Sequence, residues 1–99
     1  MLGLKTMFNN NLGLKMSEWF VYMLRCSDNS LYTGITTDLA RRVDEHNGEK
    51  SVTRYTRVRQ PVELVYHETA ESRSTASQRE AQIKKLPKVQ KEEMLLGSF

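Results

Sequence analysis

The sequence predicts an α/β domain of the α+β kind, with a small three-stranded antiparallel sheet flanked by helices in the order β-β-α-β-α-α. Three observations lead there. Short runs rich in aromatic and β-branched residues at 19–26, 31–35 and 61–68 have the length and composition of strands. The stretches 36–47 and 75–86 place apolar residues three and four apart, as helices do. Ninety-nine residues without an internal repeat or low-complexity linker make one domain with a modest core.

Residues 1–16, "MLGLKTMFNNNLGLKM", have no periodicity, an Asn run and too short an apolar core for a secretory signal. They are expected to form a flexible tail, as a chain translated from a start upstream of Met16 would carry, and the domain is expected over 17–96. "WFVYMLRC" at 19–26 reads as the first strand, with Trp19 and Phe20 in the core and Cys26 a reduced thiol at the strand end. "SDNS" supplies a turn and "LYTGI" at 31–35 returns as a hairpin. Tyr22 and Tyr32 share a sheet face only if the loop has an odd residue count, for instance Asp28-Asn29-Ser30, and that is the expectation.

"TTDLARRVDEHN" reads as the first helix, started by Thr36 or Thr37 and stopped by a left-handed Asn47-Gly48. Its inward stripe is Leu39, Arg42, Val43 and His46, and Asp38, Arg41, Asp44 and Glu45 take the other side. An arginine turned inward needs a partner, because an unpaired buried guanidinium costs several kcal/mol. Arg42 therefore snorkels from the stripe's edge, pairs internally, or serves a ligand. "KSVTRYTRVR" at 50–59 follows as a loop carrying Lys50, Arg54, Arg57 and Arg59 with no acid and with Tyr55 interleaved. That is the pattern of a phosphate-tracking loop with a stacking ring, and equally of a solvated surface loop.

"PVELVYHE" at 61–68 alternates as the third strand, with His67 an exposed strand histidine that has no ligand-spaced partner. The second long helix starts where Thr75 and Gln78 have capping-box spacing and runs to Leu86, before Pro87 interrupts it. Its inward positions Ala76, Glu80 and Ile83 put a carboxylate in the apolar stripe, so Glu80 and Arg42 either form an ion pair or meet a ligand together. Residues 88–96, "KVQKEEMLL", make a last short helix, and Lys84, Lys85, Lys88 and Lys91 read as helix surface.

Composition excludes several classes. The single Cys26 forms no internal disulfide and no zinc cluster, and no apolar run of 18 residues is present, so a cytoplasmic location away from membranes is expected. A net charge of +3 does not by itself identify a nucleic-acid binder.

"VYM" at 21–23 and "YTG" at 32–34, their tyrosines ten residues apart and followed by "LARRVDEH", resemble the GIY-YIG nuclease superfamily. Phe20, Val21 and Thr33 depart from the tripeptides, while both tyrosines and the second glycine are kept. The resemblance spans roughly 18–90 and is greatest to small standalone bacterial members. It implies a GIY-YIG-like fold and hydrolysis of DNA phosphodiester bonds with one divalent metal, Mg²⁺ or Mn²⁺, held weakly by Glu80. Tyr22 with His46 would be the general base, Tyr32 would position the attacking water or a phosphate, and Arg42 would neutralise charge on the phosphoryl group. Gly34 would let backbone or phosphate approach beside Tyr32, and residues 50–59 would hold the DNA backbone. Many superfamily nucleases carry an asparagine about twelve residues beyond the metal glutamate; here the region holds Glu92 and Glu93 and no asparagine. A monomer acting on structured or branched DNA follows, with a protein partner as the other route to a complete site, and the alternative function is a non-catalytic nucleic-acid-binding module on the same fold.

Overall fold

The computed structural model describes residues 18–97; the tail expected over 1–16 lies outside them. The elements are β1 (Trp19–Arg25), β2 (Leu31–Thr36), α1 (Leu39–Asn47), α2 (Arg54–Arg57), β3 (Glu63–Ala70), α3 (Arg73–Lys84) and α4 (Lys88–Leu96). The strands form one antiparallel sheet in the order β2-β1-β3. The expected α+β architecture is present, and the element order gains one helix, because α2 is a single turn inside the segment read as a loop. Thr53 caps it by accepting from the Thr56 amide, a local bond that four residues can make without hydrophobic periodicity.

The hairpin connection covers five residues, from Cys26 to Ser30, an odd number, with Asn29 in the left-handed conformation at φ 71°. Tyr22 thus pairs with Gly34 and Leu24 with Tyr32, so Tyr22, Leu24, Tyr32 and Gly34 share one face. That face is covered by Leu39 and Val43 of α1. Val21 and Met23 point the other way and pack under Ala76 and Ile83 of α3 and Met94 and Leu95 of α4. α1 and α3 therefore lie on opposite faces of the sheet, so Arg42 and Glu80, inward on their own helices, start from different sides.

Helix punctuation also differs. Asp38, placed outward by periodicity, is the α1 cap, accepting from Arg41 N, while Thr36 accepts from Asp38 N. The C-terminal stop is not left-handed, since Gly48 has φ −80°. Asn47 acts instead through its side chain, which clasps Val62 by accepting from its amide at 2.7 Å and donating to its carbonyl at 3.0 Å. On α3 the capping box is Ser72 with Thr75, three residues before the expected one, and the helix ends at Lys84. Trp19 and Phe20 are half-buried rather than fully in the core, and His67 is exposed, edge-on to Phe20.

Candidate active site

The site begins with a side chain that is missing. A Cβ at Gly34 would stand 2.5 Å from Tyr22 Oη and 2.7 Å from its Cζ, so the phenol lies flat over the glycine. Because β2 is an edge strand, this carries the hydroxyl toward the rim of the sheet. The space a Cβ would occupy here is filled by the Tyr22 phenol, which is the reason this position needs a glycine.

There Tyr22 Oη lies 2.9 Å from His46 Nε2, and both residues are buried. On the far side of the imidazole, His46 Nδ1 is 2.8 Å from Thr56 Oγ1, also buried. Thr56 Oγ1 in turn lies 2.7 Å from Thr53 Oγ1 and 2.8 Å from Ser51 Oγ. A hydroxyl, an imidazole and three more hydroxyls form a continuous polar chain from the sheet to α2. Burial, seconded by the charge of Arg42, holds His46 below its ordinary pKa and keeps the ring neutral, with Glu45 opposing. Burial pushes the Tyr22 phenol up to about 12; a hydrogen bond and the positive charge from Arg42 pull the other way, and Tyr32 and Glu80 add to the rise.

The Arg42–Glu80 ion pair does not form. Arg42 donates to Glu45 at 3.0 Å and faces the Tyr22 phenol, while its Nε is buried without a partner among the described residues. Burial works against its charge, but Glu45 and Tyr22 outweigh that. Glu80 pairs within its own helix, with Lys84 at 3.2 Å, and keeps 22 % of its side-chain surface exposed. Arg42 keeps 34 % exposed, so part of each inward charge can meet a ligand, although the unpartnered Arg42 Nε is itself buried.

Tyr32 stacks at an angle between His46, 5.1 Å away, and Tyr55, 6.0 Å away. Tyr55 donates to Ser30, and Arg59 lies 3.9 Å over its ring while pairing with Asp28 at 2.9 Å. Arg59 and Tyr55 therefore brace α2 against the hairpin, leaving Lys50, Arg54 and Arg57 as exposed cations without an ion pair among the described residues. Glu92 stands apart from Glu80: it makes a two-pronged pair with Arg25 and a bond to Lys88. Sequence reasoning missed Thr56, Ser51 and Thr53. The Thr-x-x-Thr spacing marks a helix start, but nothing local shows that Thr56 meets His46.

A tyrosine over a strand glycine, joined to a helical histidine and faced by a helical arginine, matches a known catalytic domain: the GIY-YIG catalytic domain covers residues 18–93. The chain belongs to the GIY-YIG family. GIY-YIG proteins are of nuclease type, generally use divalent metals and in general act on DNA. The UPF0213 protein of Desulfotalea psychrophila is 52 % identical to this GIY-YIG chain over 81 % of its length and 73 % of the relative's. That of Cronobacter sakazakii is 48 % identical over 85 % of the chain and 87 % of the relative. Two solution NMR structures share the fold. One is a UPF0213 protein of Bacillus halodurans, with a TM-score of 0.51 and 38 % identity over 79 % of this chain and 82 % of that one. The other is a protein of E. faecalis, with a TM-score of 0.57 and 39 % identity over 83 % and 86 %.

No cluster of three or more His, Cys, Asp or Glu that could hold a metal occurs among the described residues. A divalent cation at Glu80, the residue the family resemblance assigns to it, would have a lone carboxylate ligand there. That donor set suits Mg²⁺ or Mn²⁺, which take most of their ligands from water and phosphate, and not zinc.

Proposed function

We propose that this GIY-YIG domain is a cytoplasmic, metal-dependent endonuclease that hydrolyses phosphodiester bonds in DNA. The observation that carries the reading is the buried Tyr22–His46–Thr56 chain, which holds a neutral imidazole against a hydroxyl at the sheet rim beside Arg42. A phenol with a pKa near 12 is a poor base if it must first ionise. It need not do so here. As Tyr22 Oη accepts a proton from the attacking water it passes its own to His46 Nε2, and Nδ1–H donates to Thr56 to hold the ring in that tautomer. Arg42 donates to the phosphoryl oxygens as negative charge builds, a task suited to a guanidinium that is one-third exposed beside the Tyr22 phenol. Tyr32 positions the water. Glu80 would hold the cation, whose chemistry when bound is to neutralise charge on the same oxygens. Arg54 and Arg57, with Lys50, hold the backbone from α2, and Arg59 and Tyr55 keep that turn in place.

The test is nicking of supercoiled and branched DNA with Mg²⁺ or Mn²⁺ by wild type, Glu80→Gln and Arg42→Ala. Nicking is expected to vanish with EDTA and to fall about 100-fold or more in each variant, the usual loss when one transition-state donor is removed. Nicking that survives both substitutions would overturn the assignment. A non-catalytic nucleic-acid-binding module is the second reading, favoured by the elevated Tyr22 pKa, and it requires DNA binding with no cleavage by any preparation.

A further inference from the structure

A cleft of about 200 Å³ opens beside Arg42, lined by Trp19, Ile35, Thr36, Thr37, Arg41, Arg42 and Arg73 and by no residue of α2. Three guanidiniums meet there. Two of them, Arg41 and Arg42, share one carboxylate, Glu45, and Arg73 has no ion pair or hydrogen bond from its side chain among the described residues. The cleft thus keeps an excess of positive charge that no ion pair among the described residues matches. Arg73 is the first residue of α3, which begins at the rim behind the uncharged cap Ser72, and helix starts favour anions, whereas the α1 start nearby is already capped by the Asp38 carboxylate. The cleft's apolar wall is an indole and an isoleucine. Phosphate with an apolar group attached is the chemistry this lining fits, and Arg42 belongs at once to the cleft and to the Tyr22 phenol.

We infer that this cleft is a second phosphate subsite of the nucleic-acid strand. It holds the phosphodiester next to the one at Arg42, between Arg73 and Arg41, with the intervening nucleoside against Trp19. The inference rests on the nuclease reading for the identity of the strand but not for its measurement. It gives the strand a path across the α1–α3 rim, away from the α2 cations.

Trp19 is the only tryptophan of the chain and reports directly on occupancy. The experiment titrates the full chain with a thymidine octanucleotide in EDTA, following Trp19 fluorescence and, separately, the anisotropy of a labelled oligonucleotide, across a range of salt. Wild type should show quenching that saturates with the anisotropy. Arg73→Ala should weaken binding severalfold and reduce the slope of log K against log[salt] by about 0.7, the loss of one phosphate contact on a single strand. Arg73→Lys should restore the slope, and Arg54→Ala should weaken binding while leaving the depth of quenching unchanged at saturation. Binding without quenching, or an unchanged salt slope in Arg73→Ala, would overturn the subsite. Quenching by inorganic phosphate that the octanucleotide does not displace would also overturn it, in favour of a free-anion site. Cleavage is read separately: a protein that quenches but never nicks fails the nuclease reading alone, and one that nicks without quenching fails the subsite alone.

Discussion

Replacing Gly34 by alanine tests the geometry on which the whole site is built. The backbone there is not in the left-handed region, so no φ strain opposes a side chain, and alanine in a strand would alone be worth roughly 0.5–1 kcal/mol over glycine. The added Cβ, however, would stand 2.5, 2.7 and 3.1 Å from Oη, Cζ and Cε2 of a phenol that is itself buried. The ring must move, and overpacking of this kind costs about 1–3 kcal/mol. Its movement also breaks the 2.9 Å contact to His46 Nε2, leaving a buried ring nitrogen unsatisfied at a further 1–3 kcal/mol or so. Set against the propensity gain, the net loss is about 1–5 kcal/mol, and a central value of about 3 kcal/mol lowers Tm by roughly 12–24 °C for a domain of this size. Urea unfolding of wild type, Gly34→Ala, Tyr22→Phe and the double variant measures it. Tyr22→Phe removes the atom at 2.5 Å and with it part of the clash, so the two changes should be non-additive by 1 kcal/mol or more. A Gly34→Ala protein as stable as wild type, or strictly additive losses, would refute the packing argument.

Thr56→Val keeps the shape of the side chain but strips His46 Nδ1 of its partner, which should cost about 1–3 kcal/mol in urea unfolding and mix the imidazole tautomers in nitrogen NMR; a single unchanged tautomer would show that Thr56 does not orient the ring. Because burial lowers the His46 pKa, the folded state binds fewer protons here than the unfolded chain below pH 6.5, so this residue's contribution is present above that value and is lost as pH falls through the lowered one. His46→Gln should flatten that part of the stability profile, and wild-type nicking should persist below pH 6.5; nicking that already falls at or above that pH would contradict a neutral relay. Glu92 is held at about 2 by the hydrogen bonds from Arg25 and Lys88, so its share of stability is present above its ordinary 4.5 and disappears toward pH 2. Glu92→Gln should therefore unfold at a higher pH on acid titration, and an identical acid limb would show the pair to be solvent-screened.

Much of this molecule is local, and local features are legible. Strand length and composition marked β1, β2 and β3, and a period of 3.6 put Leu39, Val43 and His46 on one stripe and Ala76 and Ile83 on another. The odd hairpin parity brought Tyr22 and Tyr32 to one face because side chains alternate strictly along a strand. Caps were less legible. Asp38 and Ser72 displaced the expected threonines because several hydroxyl and carboxylate residues stand near each helix start, and a small difference in loop path decides which one reaches the amides.

The candidate site divides in the same way. The sequence by itself determined that an arginine, a histidine and a glutamate lie inward on two helices, since helical periodicity requires it, and that a lone cysteine forms no internal disulfide. Only the tertiary structure decided what each of them meets. Loop paths put α1 and α3 on opposite faces, paired Arg42 with Glu45 beside Tyr22 and Glu80 with Lys84, folded Arg59 back onto Tyr55, and brought Thr56 to an imidazole from another element. These are contacts between segments distant in sequence, set by how the sheet faces are covered, and no residue spacing encodes them.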